Sequence, residues 1–95
     1  MRNNKNWKVE ILDDRPSLPT GPVTTRRYFR DQAAGFNWLA NWIKKDMDEE
    51  GVKEDKRKRF LAMIEAQDFD TLIREYGDTE LGECGGMLMY KRKIE

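Results

Sequence analysis

The chain contains no histidine and a single cysteine. Without imidazole there is no histidine general base, no proton relay built on that ring and no His-ligated zinc. One thiol cannot close an internal disulfide, which suits a reducing compartment and predicts a cytoplasmic protein. Net charge is also missing: 18 Lys and Arg balance 18 Asp and Glu. No bulk field therefore holds the chain on nucleic acid or on a membrane, although a local patch remains open to it. Proline occurs three times, always between Pro16 and Pro22. No apolar run approaches the roughly 18 residues of a membrane span. Met1 to Asn6 has no apolar stretch behind it, which predicts no secretory signal. A phosphate-cradling loop is lacking too, since Gly82, Gly85 and Gly86 are followed neither by Lys-Ser/Thr nor by a helical pattern. No cofactor and no metal are expected.

What is present points to a folded domain. Ninety-five residues make one domain, 1–95, with residues 1–6 as a loose N-terminus. Charged residues form 38% of the chain and the mean hydropathy is −0.92, yet 3 Trp, 4 Phe, 3 Tyr and 5 Met supply core material. A disordered chain normally lacks such bulk.

Trp7-Lys8-Val9-Glu10-Ile11 alternates apolar with charged residues, the period of a half-buried strand. Trp7, Val9 and Ile11 are expected to face the core, and Lys8 and Glu10 the water. The proline-bearing segment to Pro22 reads as a loop. Val23 to Arg30 is β-prone, with Phe29 and Val23 assigned inward and Tyr28 outward between Arg26 and Arg30. Asp31 is placed to cap a helix from Gln32 to about Glu49. Phe36, Leu39, Ala40, Ile43 and Met47 form one apolar face of that helix, and Trp38 with Trp42 a second stripe beside it. Gly51 suits a left-handed C-terminal stop. A second helix starts near Glu54 or Asp55, with Glu54–Lys58 and Asp55–Arg59 as pairs four apart. A third, capped by Asp68 or Asp70, carries Phe69, Leu72, Ile73 and Tyr76 and ends at Gly77; one bent helix is the alternative. Gly85-Gly86 suits a turn before a last strand, Met87 to Ile94. The expected fold is α+β: a small, mainly antiparallel sheet of three or four strands with two to three helices on one face, in the order β-β-α-α-(α)-β.

Few residues invite chemistry. Cys84 is the one candidate nucleophile, but Glu83 beside it raises a thiol pKa and no base is at hand, so no catalytic residue is assigned. Asp46-x-Asp48-x-Glu50 has the opening spacing of a calcium loop and Gly51 at its sixth position, yet the twelfth position is Arg57, which is no ligand. That acidic run reads as a solvated helix end or an acidic recognition patch.

The leading expectation is a non-catalytic module that docks on another protein. Its assigned contacts are Trp38 and Trp42, the residue type most enriched at binding hot spots, with Asp46, Asp48, Glu49 and Glu50 steering the partner. The competing assignment for the two tryptophans is core, between the first helix and the later ones. Size and want of catalytic apparatus suit an accessory or inhibitor protein of the kind phages and mobile elements carry. The alternative is a nucleic-acid binder. If the second and last strands are neighbours, Arg26, Tyr28, Arg30, Tyr90 and Arg92 share an outer face on which cations meet phosphates and rings stack on bases. Homodimerisation through the wide apolar face of the first helix is compatible with either.

Overall fold

A computed structural model of the chain describes residues 5–15, 21–81 and 85–91. Three strands, β1 (Trp7–Asp13), β2 (Val23–Phe29) and β3 (Gly86–Lys91), form one antiparallel sheet in the order β2-β1-β3. Three helices, α1 (Gln32–Glu50), α2 (Glu54–Glu65) and α3 (Phe69–Glu80), lie between β2 and β3 in the chain. α1 and α3 pack on the sheet, and α2 packs on both of them. The architecture is small α+β with the helices on one face and the strands numbering three. The first strand being central corrects one expectation: β2 and β3 are not neighbours, because β1 lies between them.

The register explains which side chains the core takes. Val9 of β1 opposes Arg27 and Met89, and Ile11 opposes Thr25 and Met87. Val9, Ile11 and Met87 are buried against Leu39, Ile43 and Met47 of α1, Phe60 of α2 and Leu72 and Tyr76 of α3. Phe36 meets Phe69 edge-on with ring centroids 4.1 Å apart, which ties the second turn of α1 to the start of α3. Phe36, Leu39, Ile43 and Met47 of α1 are thus spent inside the chain itself.

Local signals act as their chemistry requires. The Asp31 carboxylate accepts from the Ala34 amide at 2.8 Å and caps α1. Gly51 ends that helix at φ 63°, a conformation that costs glycine nothing, and its N–H returns to the Met47 carbonyl. The acids in the last turn of α1 oppose the helix dipole. Arg57 of α2 answers them by pairing with Asp48 and donating to the Met47 carbonyl at 3.0 Å.

Elsewhere tertiary packing overrides the local reading. α2 and α3 are separate helices, divided at Ala66–Asp68, where Gln67 adopts φ 56°. Gly77 does not stop α3, which runs on to Glu80. A Cβ at Gly77 would lie 3.4 Å from the Met87 amide nitrogen and 3.5 Å from Gly86 Cα, so glycine serves close helix–strand approach there. Arg59 pairs with Glu75 and Lys56 with Glu80, both on α3, instead of the expected pairs along α2. The proposed reach of the last strand to Ile94 and the site residue Arg92 lie outside the described residues, as do Cys84, residues 1–4 and residues 16–20.

Candidate functional site

Two places gather chemistry, one on each side of the sheet. The first is the face that no helix covers. Side chains alternate along a strand, and the register carries Lys8, Glu10 and Leu12 of β1 to this face, between Thr24, Arg26 and Tyr28 of β2 and Leu88 and Tyr90 of β3. Lys8 lies between two phenol rings, its Nζ 5.7 Å from the Tyr28 centroid and 5.8 Å from that of Tyr90. Its ammonium is held above the ordinary lysine value, chiefly by its hydrogen bond with the Tyr90 hydroxyl, with Glu10 3.6 Å away assisting. In the next row Arg26 Nε donates to Glu10 Oε2 at 2.7 Å, and this holds the Glu10 carboxyl below its usual range. Leu88 beside them is 56% exposed.

The structure places three residues of the alternative site assignment on this face. Arg26, Tyr28 and Tyr90 do share one outer face, with Lys8 joining them, although β1 separates their strands. Arg30 is exposed in the bend that leads to the cap of α1. Lys8 escaped the sequence reading because alternation assigns it to water. The two tyrosines that flank it come from strands 20 and 82 residues away.

The second place is a cleft of about 290 Å³ between the C-terminal half of α1 and the outer edge of the sheet. Its floor is a buried ionic clamp. Arg15, two residues beyond β1, donates through Nε and Nη2 to Asp13 at 2.8 and 2.5 Å. It also donates through Nη2 and Nη1 to Asp46 of α1 at 2.7 and 2.9 Å. The Tyr76 hydroxyl of α3 donates to Asp46 Oδ2 at 2.5 Å. Asp13 and Asp46 are 7% and 8% exposed. Burial and the Asp46 contact push the Tyr76 phenol far above its ordinary value, and the two aspartates raise Arg15 likewise. Trp42 from α1 and Val23 with Thr25 from β2 form the walls, and Lys45, Glu49 and Glu50 the rim.

Of the six residues assigned to partner binding, four line this cleft: Trp42, Asp46, Glu49 and Glu50. Asp46 is not on a solvated helix end, because the Arg15 guanidinium draws it into the core. Asp48 lies outside the cleft, exposed and paired with Arg57. Trp38 and Trp42 are half-buried, packed against the core and bordered by residues of β2. The Trp38 ring lies 5.9 Å from that of Phe29 and receives the Arg27 guanidinium at 5.8 Å. Arg15 and Asp13 were missed as a site, since Asp13-Asp14-Arg15-Pro16 reads as the end of a strand. One signal was available: Asp46 falls three residues after Ile43 and seven after Leu39, on the apolar stripe of α1, where a carboxylate needs a buried cation.

The wider charge pattern follows the layers. The helices carry eleven carboxylates against seven cations, and the strands four cations against two carboxylates. Zero net charge thus conceals a positive sheet on a negative helical layer. Among the described residues no cluster of carboxylates and thiols is arranged to hold a metal ion, and no helix is long and apolar enough to cross a membrane. Compared with known proteins, the chain matches no family model, and no curated protein or solved structure shows significant similarity to it.

Proposed function

We propose that the protein is a non-catalytic binding module that docks a partner protein on the uncovered face of its sheet. One observation carries this reading. Of the five large apolar residues exposed among the described ones, Tyr28, Leu88 and Tyr90 are gathered on that single face. Such a concentration on a small domain marks a contact surface, and amphipathic tyrosines are the residues that serve one well. The cations Lys8 and Arg26 against the single acid Glu10 favour a partner whose contact surface is apolar with acidic residues at its margin. The reading accords with a cytoplasmic accessory or inhibitor protein of the kind phages and mobile elements carry. Asp13 and Asp46, the buried carboxylates that the fold brings together, are occupied with Arg15, which supports binding over acid–base catalysis.

The test is affinity capture of the tagged protein from its native cytoplasm after nuclease treatment, beside a Leu88→Ser/Tyr90→Ser variant. Both positions are exposed, so the variant keeps its fold, with stability changes of about 0.5 kcal/mol or less per site. One protein recovered at stoichiometric level by the wild type and lost by the variant is the expected result. Recovery unchanged by the variant overturns the assignment of the surface.

The Tyr28–Lys8–Tyr90 row favours a second reading, single-stranded nucleic acid with bases stacked on the rings and a phosphate on the ammonium. In that case recovery vanishes with nuclease, and binding falls steeply with salt.

A further inference from the structure

Trp38 and Trp42 stand one helical turn apart on α1 and face the same strand. Over Trp38 that strand supplies Arg27, whose guanidinium lies 5.8 Å from the indole. Over Trp42 the strand has moved on by two and four residues and offers Thr25 and Val23, and among the described residues no cation lies over the indole ring. The result is the cleft of about 290 Å³ with an indole as one wall. Among the described residues, an arginine thus fills one of two like positions and none lies over the indole at the other.

The charge around the open position has a definite sign. Asp13 and Asp46, both nine-tenths buried, share the one guanidinium of Arg15. The clamp alone carries an excess negative charge in a poorly solvated setting. Glu49 and Glu50 add two carboxylates at the mouth, Glu50 being 3.5 Å from Arg15. Lys45 returns one cation, so the lining as a whole remains negative. Excess negative charge beside an aromatic wall recognises a cation that is flat and weakly hydrated. A guanidinium stacks on an indole and pairs with a carboxylate through its edge, whereas an ammonium does both less well.

We propose that this cleft is a seat for an arginine side chain of a partner protein, stacked on Trp42 and paired with Glu49 at the rim. The seat opens on the helical side of β2, away from the uncovered sheet face, and does not rest on the docking assigned there. An arginine delivered here repeats between molecules the contact that Arg27 makes with Trp38 within the chain. Its contribution is specificity: a neutral or acidic side chain in the same place leaves the negative lining unanswered.

The experiment is a titration of the ¹⁵N-labelled protein with acetyl-arginine-methylamide, followed through the indole and backbone N–H signals. Acetyl-citrulline-methylamide, equal in shape and neutral, is the control. The expected result is saturable movement of the Trp42 indole signal and of the Thr25 and Glu49 amides, with a millimolar Kd. Citrulline then binds at least roughly tenfold more weakly, as the loss of a charge-assisted contact requires. Glu49→Lys, at an exposed position, lowers the arginine affinity roughly fivefold or more, whereas Leu88→Ser/Tyr90→Ser leaves it unchanged. Equal shifts with citrulline overturn the proposal, as do shifts that never saturate or that spread over the surface without reaching Trp42. Insensitivity to Glu49→Lys, with the melting temperature retained, overturns the place given to Glu49.

Discussion

Arg15 and Lys8 stand at opposite ends of the same strand, each a cation set beside a carboxylate and a tyrosine. Their own side chains are almost equally covered, 11% and 16% exposed. Their surroundings differ. The Asp13 and Asp46 carboxylates that grip Arg15 are 10% exposed, and Tyr76 beside them has no contact with water. Around Lys8 the Glu10 carboxylate is 25% exposed, and the two tyrosines lie at the surface. The contrast teaches that the accessibility of the partners, more than that of the cation, decides whether a charged cluster holds a fold together or remains free to meet a ligand. Water can answer Glu10 if Lys8 is taken away, but it cannot reach Asp13 and Asp46 without opening the joint between sheet, α1 and α3.

The contrast is broken most directly by removing each cation. Arg15→Ala strands two buried carboxylates, and the unfolding free energy is expected to fall by about 3–5 kcal/mol. Lys8→Ala is expected to move the denaturation midpoint far less. Equal losses in urea titrations of the two variants contradict the distinction drawn between the clusters.

A smaller effect sharpens the buried side. Tyr76→Phe removes a hydrogen bond to a charged group, at a cost of about 1.5–3 kcal/mol. It should also change the pH dependence. The Tyr76 phenol is held above its ordinary value of 10.0, first by burial and then by Asp46. Above that value the unfolded chain releases the phenolic proton while the folded one keeps it. Folding stability from this group is therefore complete below pH 10 and declines as pH rises beyond it. Thermal melts between pH 9 and pH 11, roughly spanning that value, should fall less steeply for Tyr76→Phe than for the wild type.

The smallest effect lies on the open face. Arg26 donates to Glu10 and keeps its carboxyl below the usual range. Arg26→Ala should bring the Glu10 titration back toward 4.5, read from its carboxyl ¹³C shift. The same variant should leave the melting temperature almost unmoved, since the pair is exposed to water. An unchanged Glu10 titration contradicts the pairing.

Sequence made the elements legible where the cause is local. Alternation from Trp7 to Ile11, the Asp31 cap and the Gly51 stop each rest on a few adjacent residues, and each stands in the structure. Where the cause is distant the reading failed. Gly77 has the right chemistry to end a helix, but the backbone of β3, ten residues on, gives it a different task. Asp46 was grouped with the solvated acids beside it because Arg15 is 31 residues away. The site was visible as residue types and not as places. Trp42, Glu49 and Glu50 were named as contacts, but the cleft that joins them is set by the register of β2, which no local pattern encodes. Likewise Tyr28 and Tyr90 share a face across β1 and not as members of neighbouring strands, an order that no local pattern encodes.

The central position of β1 has a consequence for how the protein is made. β1 leaves the ribosome before β2 and β3 yet needs a neighbour on each side, and the second of these, β3, is translated after all three helices. Trp7 finds Lys91 only when the chain between them is complete. Until then β1 can pair with β2 alone, a hairpin too small to be stable by itself, and its other edge stays bare. Closing the sheet is thus a long-range step, the kind that slows folding, and nascent chains held before residue 86 should be open to proteases and chaperones along the edge that β3 later covers.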